Sequence, residues 1–127
     1  MPKAIIHTNL KDKDVPEGFE LRVTQKMGEV FEFPIEVIYV TLTTGDRISH
    51  NGSSDPMVFV DMVTVNKFSD ETNPGYSRQF MKFFSDELKL PLHRVLIQYH
   101  DSQMGDFGCK RQPPEYKDDR YFLDNSK

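Results

Sequence analysis

The sequence predicts an α+β fold in which a β-α-β unit occurs twice, giving a four-stranded mixed sheet with two helices on one face. Three observations support this prediction. Strand and helix patterns follow the order β-α-β-β-α-β, the two halves have similar lengths, and each crossover is long enough to hold a helix. Such crossovers join parallel strands with right-handed connections, so we expect a split βαβ arrangement.

The first half contains a strand, a helix and a second strand. Residues 2–8 form the first strand. A helix is predicted from about Pro16, because apolar residues recur at helical spacing from Phe19 to Phe31. Pro34 ends this helix, and residues 36–44 are rich in β-branched side chains, which is typical of a strand.

The second half repeats this order after a loop over residues 47–56. Residues 57–65 form a strand that is apolar on both faces, so both faces should be covered. An aromatic-rich helical stripe covers residues 76–88, and residues 94–101 form the fourth strand. Because two helices cover only one face of the sheet, we expect the other face to pack against further copies in a symmetric homo-oligomer.

Length and composition are those of one globular domain. The chain has 127 residues, of which 37% are hydrophobic and 28% are charged, enough to form a core of its own. We assign residues 1–108 to the domain and residues 109–127 to a charged C-terminal tail. Within the tail, only residues 121–123 are apolar enough to form a short docking strand.

Composition also excludes several classes of function. The net charge of −4 leaves no basic excess to neutralise phosphates, which argues against a nucleic acid partner. Cys109 is the single cysteine and the four histidines show no ligand spacing, so we expect no disulfide, no metal and no cofactor. We find neither a membrane-spanning stretch nor a signal peptide. We therefore expect a cytoplasmic protein, whose secretion would not use a signal peptide.

Pro2 is the candidate catalytic residue. Methionine aminopeptidase removes an initiator methionine that precedes a residue as small as proline, so the mature chain should begin at Pro2 with a free secondary amine. An α-amino group titrates near about 7.7 to 8.0, and apolar surroundings favour its neutral, basic form. Most chains that begin Met-Pro merely tolerate the proline, so the terminus alone does not establish catalysis.

A set of short motifs lies in register from Pro2 to about Gly108. They are Thr8-Asn9, residues 15–19 (VPEGF), Thr24-Gln25, residues 52–56 (GSSDP), Lys67, Asn73 with Tyr76-Ser77, and residues 94–99 with Asp101. With the duplicated architecture, this set resembles the macrophage migration inhibitory factor family of the tautomerase superfamily. The resemblance implies a homotrimer whose sheets enclose a central channel, with pockets at the subunit interfaces around the N-terminal proline.

The resemblance also implies an activity and partners. It implies keto–enol isomerisation of small aromatic keto acids such as phenylpyruvate, isomerisation of dopachrome derivatives, and secretion as a cytokine-like immune modulator with a cell-surface receptor. Pro2 would be the base that removes a proton beside the carbonyl. Thr64 and Val65 would line the pocket, while Leu96 and Gln98 would reach in from a neighbouring subunit. Without the resemblance, these four strand residues would be assigned to the core or to an interface.

Several pocket positions depart from the family pattern. Phe33 stands where a lysine usually pairs with a substrate carboxylate, and losing such a hydrogen bond costs about 1.5 to 3 kcal/mol. Leu96 and Gln98 replace an expected tyrosine and asparagine. Cys109 and Val37 replace an aromatic residue and a tyrosine. These changes predict weak phenylpyruvate turnover, or a preference for a less anionic or more apolar substrate. They also leave a rival interpretation open: a non-enzymatic extracellular receptor ligand.

Two charged residues have alternative interpretations. Asp61 lies in an apolar strand and is either a hydrogen-bonded carboxylate at a subunit interface, which we favour, or a second acid in the channel. Lys67 lies just past the third strand. It is either a solvated charge, which we favour, or the replacement for the cation missing at Phe33.

Overall fold

The elements of the computed structural model, which describes residues 1–109, follow the predicted order. The strands are β1 (Lys3–Thr8), β2 (Tyr39–Thr43), β3 (Val58–Val65) and β4 (Val95–Ser102), and the helices are α1 (Phe19–Phe31) and α2 (Asn73–Leu88). Single 3₁₀ turns precede β2 and β4. The docking strand predicted at residues 121–123 lies outside the described residues.

The strand order is β2-β1-β3-β4, with β1–β2 and β3–β4 parallel and β1–β3 antiparallel. This confirms the duplicated four-stranded mixed sheet. The expected split arrangement is wrong, because the two strands of each unit are direct neighbours. Hydrogen bonds at the start of β3 hold it against β1: the Thr8 hydroxyl donates to the Met57 carbonyl at 2.7 Å, and the Met57 N–H donates to the Asn9 side chain at 2.9 Å.

Three predicted boundaries are wrong for local reasons. The first helix begins at Phe19 rather than near Pro16, because Gly18 adopts a left-handed φ of 79°. The strand predicted from residue 36 begins at Tyr39, since Ile35–Val37 form a 3₁₀ turn. The helix predicted from residue 76 begins at Asn73, with a proline in its first turn, where the missing N–H costs nothing.

The core lies between the two helices and one face of the sheet. Burial alternates along β1 and β3, as expected when one face is covered. The fully buried side chains include Ala4, Ile6, Val58, Val60 and Met62 from the strands and Phe19, Val23, Met27, Phe31, Phe80 and Phe84 from the helices. The apolar stripes predicted for both helices therefore form this core.

The opposite face of the sheet, here called the open face, carries the alternate residues of each strand. Its side chains are Lys3, Ile5, His7, Tyr39, Thr41, Thr43, Phe59, Asp61, Val63, Leu96, Gln98 and His100. Tyr39 and Leu96 are large and about half exposed, at 51% and 52%. That further copies of the chain cover this face remains a prediction.

Asp61 is held by a histidine on the open face. Its Oδ1 lies 2.8 Å from Nε2 of His100, in the neighbouring strand β4. Asp61 is therefore the hydrogen-bonded carboxylate that we favoured, although its place at a subunit interface remains a prediction. A similar pair joins His7 Nδ1 to Asp46 Oδ2 at 2.8 Å. The sequence pattern indicates no partner for either histidine.

Candidate active site

Pro2 is buried at the start of the central strand β1. Its carbonyl oxygen accepts the N–H of Tyr39, at the start of β2, at 3.0 Å. On the other side, Lys3 pairs with Val63 near the end of β3. The start of β1 therefore lies between the start of β2 and the end of β3, and the predicted pocket residues Thr64 and Val65 belong to this same end of the sheet.

The chain terminus shares these buried surroundings. Met1 is only 5% exposed, and its Sδ lies 3.0 Å from the Sγ of Cys109. Burial lowers the pKa of the Met1 α-amino group, while the charge of a Cys109 thiolate acts in the opposite direction. The environment at the start of β1 therefore disfavours a positive charge on an amine.

Cys109 belongs to this cluster, which the sequence analysis missed. Burial raises the pKa of its thiol, while the charged chain terminus and a hydrogen bond with Tyr39 act in the opposite direction. Met1 and Cys109 are far apart in the sequence, so their contact leaves no periodic pattern. The only signal was that an aromatic residue, expected by resemblance, was absent at Cys109.

Thr64 carries an unpaired hydroxyl. Within residues 1–109, its Oγ1 is the buried side-chain polar atom that has no hydrogen-bond partner. Leaving such a group unpaired costs about 1 to 3 kcal/mol, so most buried hydroxyls are paired. Val65, the next residue, is 7% exposed. The end of β3 thus combines an apolar wall with a polar atom whose hydrogen-bonding capacity is unused.

A lysine lies close to Phe33, the position where the resemblance led us to expect a cation. The Nζ of Lys67 is 5.2 Å from the centroid of the Phe33 ring, within the range of a cation–π interaction. Phe33 follows α1 and packs against the core, while Lys67 follows β3. Residues from two separate loops therefore bring a positive charge back to this position.

Leu96 and Gln98 lie apart from the other predicted site residues. Leu96 pairs with Phe59 and Gln98 with Asp61, so both lie on β4, which β3 separates from β1. Within one chain, Leu96 and Gln98 therefore lie apart from Pro2, and their contribution through a neighbouring subunit remains a prediction.

In the part of the chain that the structure describes, no group of three or more His, Cys, Asp or Glu side chains could hold a metal ion.

Comparison with known proteins identifies the family of this fold. The family model described as macrophage migration inhibitory factor (MIF) matches residues 1–111. The chain belongs to the MIF family. It is 30% identical over 108 residues to macrophage migration inhibitory factor of Rattus norvegicus, covering 85% of this chain and 94% of that protein. It is 32% identical over 101 residues to the MIF-like protein mif-2 of Caenorhabditis elegans, covering 80% and 84%.

Solved MIF structures share the fold. Macrophage migration inhibitory factor from Trichinella spiralis superposes with a TM-score of 0.81 at 22% identity, covering 86% of this chain and 96% of that chain. That from Oncomelania hupensis gives a TM-score of 0.75 at 25% identity, covering 80% and 74%. The resemblance to the MIF family and the α+β fold of two helices and a four-stranded mixed sheet are therefore confirmed. No helix within residues 1–109 is long and apolar enough to cross a membrane.

Proposed function

We propose that the mature chain is a MIF-like keto–enol tautomerase of the phenylpyruvate or dopachrome type, with the amine of Pro2 as general base. Membership of the MIF family supports the reaction class. The observation that carries the proposal is the burial of Pro2 next to Met1, whose α-amino group has its pKa lowered by its own burial. The same apolar surroundings would keep a free Pro2 amine neutral near pH 7.

The reaction needs the Pro2 nitrogen to carry a lone pair. With Met1 attached, that nitrogen belongs to an amide and is no base, so removal of Met1 is part of the proposal. The free amine then takes a proton from the carbon beside the substrate carbonyl. The resulting ammonium group donates that proton to the enolate oxygen. Backbone groups at the end of β3 and the unpaired Thr64 hydroxyl supply polar contacts for the oxygen that gains charge.

The proposal includes a homotrimer. Leu96 and Gln98 cannot join Pro2 within one chain, because β3 separates their strand from β1. A neighbouring subunit would supply them, and the half-exposed Tyr39 and Leu96 are apolar surface that such an assembly would cover. Sedimentation equilibrium should give a mass three times that of the chain.

A second candidate function is that of an extracellular, cytokine-like immune modulator, secreted without a signal peptide, in which the pocket no longer acts. The observation that favours it is the set of departures from the family pattern at Phe33, Leu96 and Gln98. The two functions are compatible, because a receptor would contact the outer surface whereas the substrate would contact Pro2.

One comparison separates the two functions. Mass analysis of the N-terminus first establishes that Met1 is removed, and wild type is then compared with Pro2→Gly for phenylpyruvate enolisation and for binding to immune-cell surfaces. The tautomerase proposal predicts that wild type turns over and that Pro2→Gly loses turnover while keeping its fold. Cell binding with no wild-type turnover would favour the receptor ligand alone.

A further inference from the structure

The contact between Lys67 and Phe33 suggests how the substrate is held. We propose that Lys67, seated on the Phe33 ring, is the cation that binds the substrate carboxylate, so that the pocket takes an aromatic keto acid with a free carboxylate. The assignment of a keto acid rests on the proposed function. The anion-binding role of Lys67 stands on the geometry of the loop and ring.

Within residues 1–109, no carboxylate forms an ion pair with Lys67. By contrast, Lys26 pairs with Glu29 at 3.7 Å and Lys82 pairs with Asp86 at 2.8 Å. Lys67 is half-buried, and its Nζ lies 5.2 Å from the centroid of the Phe33 ring. An ammonium group that is partly desolvated and has no carboxylate partner among the described residues is suited to bind an anion.

The loop fixes the backbone of Lys67 on both sides. Before it, Asn66 adopts a left-handed φ of 59°, and its N–H donates to Asp101 Oδ1 at 3.1 Å. After it, the Thr72 hydroxyl donates to the Lys67 carbonyl oxygen at 2.7 Å. Because the backbone is already held, less conformational entropy is lost when the side chain binds a ligand.

The loops that carry Lys67 and Phe33 both lie at the end of the sheet that contains Pro2. Lys67 follows the end of β3, which pairs with the start of β1 through Val63 and Lys3. Phe33 follows α1 and precedes β2, whose first residue is hydrogen-bonded to Pro2. A carboxylate on Lys67 would thus leave the keto and aromatic groups of the same molecule at the end of the sheet that contains Pro2.

This inference reverses one expectation from the sequence. A preference for less anionic substrates followed from the absence of a lysine at position 33. If Lys67 supplies the cation, the free acid should bind in preference to its ester. The Phe33 ring then holds the ammonium group by cation–π attraction and offers an apolar surface to the substrate.

The test compares the acid and the methyl ester of phenylpyruvate in wild type and Lys67→Ala. A lost charge-assisted hydrogen bond should raise KM for the acid about 10- to 100-fold while kcat changes little. KM for the ester should stay the same. Lys67→Arg should retain most of the affinity for the acid. Lys13→Ala, which removes an exposed lysine from the 3₁₀ turn Asp12–Asp14, is the matched control and should change nothing.

A relocated cation gives a second test. Phe33→Lys, added to Lys67→Ala, should restore affinity for the acid by supplying the charge from the other loop. Equal KM values for the acid in wild type and Lys67→Ala, or equal losses for acid and ester, would overturn the inference. So would a double variant that binds the acid no better than Lys67→Ala.

Direct binding separates this inference from the proposed function. Calorimetry with 3-phenylpropanoate, a carboxylate with no keto group, reports binding without turnover. Binding that depends on Lys67 in a protein that turns over neither substrate would reject the tautomerase proposal and uphold the anion site. Turnover with binding independent of Lys67 would do the opposite. Neither binding nor turnover in wild type would overturn both.

Discussion

The Sδ atom of Met1 lies 3.0 Å from the Sγ atom of Cys109, a residue 108 positions away in the sequence. Cys109 is hydrogen-bonded to Tyr39, whose N–H donates to the Pro2 carbonyl oxygen. In the chain that retains Met1, the buried Met1 side chain therefore contacts a residue that lies close to the proposed base. Removal of Met1 both frees the Pro2 amine and removes this contact.

Removal of Met1 should make the thiol of Cys109 more reactive. Burial raises the pKa of this thiol, so little thiolate is present at neutral pH and alkylation of the Met1-bearing chain should be slow. The rate of reaction with iodoacetamide at pH 7 is measured by mass spectrometry before and after treatment with methionine aminopeptidase. Cys109 is the single cysteine, so Cys109→Ser is a blank control. An unchanged rate would show that Met1 does not shield the thiol.

Replacing Arg94 should destabilise the loop before β3. Its buried guanidinium donates to the carbonyl oxygens of His50, Ser53, Asp55 and Pro56. Arg94→Met should lower the free energy of unfolding by about 3 kcal/mol, measured by urea denaturation, because these charge-assisted hydrogen bonds are lost. Arg94→Lys should recover little of the loss, since an ammonium group lacks the planar fork of donors.

The exposed Arg47, in the same loop, provides the matched control for Arg94. Arg47→Met should change the free energy of unfolding by no more than about 0.5 kcal/mol. Similar losses for both variants would mean that removal of any positive charge, rather than loss of the carbonyl contacts, destabilises the protein.

Phe31 is the centre of an aromatic cluster. Its ring centroid lies 5.7 Å from that of Phe68, 5.1 Å from that of Tyr76 and 5.3 Å from that of Phe80. Phe31→Ala should therefore lower the free energy of unfolding by about 3 to 5 kcal/mol. Leu21→Ala, on the same helix but at a side chain that is 55% exposed, should have little effect. A small loss at Phe31 in urea denaturation would mean that the cluster is loosely packed.

Tyr99 should make stability fall in alkaline solution. Burial raises its pKa, although a hydrogen bond with the Ser77 hydroxyl at 2.9 Å acts in the opposite direction. Above about pH 10 the unfolded chain loses this proton while the native state keeps it, so stability that is present below pH 10 is lost as pH rises through the raised pKa. The free energy of unfolding is measured by urea denaturation from pH 8 upward.

Tyr99→Phe is expected to lower stability by about 1 kcal/mol at neutral pH, through loss of the hydrogen bond, and to weaken the alkaline decline. Tyr39→Phe is the control, because that side chain is about half exposed, at 51%. The decline should persist in Tyr39→Phe. A Tyr99→Phe protein with the full alkaline decline would show that another group causes it.

The features that sequence analysis predicted correctly are those with a local periodic signal. Phe19, Val23, Met27 and Phe31 recur at helical spacing, and all four are buried in α1. Such a pattern arises because one stripe of the helix faces the core. Helix and strand starts were less predictable, because they depend on the local backbone, as in the left-handed φ of 79° at Gly18.

The contacts of the candidate site could not be predicted in this way. Lys67 approaches Phe33, and Met1 approaches Cys109, only once the sheet has brought separate loops together. The resemblance singles out Phe33 because an expected lysine is absent there. For Lys67, the role of replacement cation was one of two interpretations, and the other was a solvated charge. Distances between remote positions follow from the register of β1 with β3, which periodicity alone does not determine.

The central claim is that a free Pro2 amine at the start of β1 is neutral near pH 7, and its own titration tests this most directly. The chain is labelled with ¹⁵N-proline, N-terminal mass analysis confirms removal of Met1, and the Pro2 nitrogen shift is followed by NMR from pH 4 to 10. We expect a pKa clearly below the usual range of about 7.7 to 8.0, because burial disfavours the ammonium form. A pKa at or above about 8, or no titration because the nitrogen is blocked, would contradict the account.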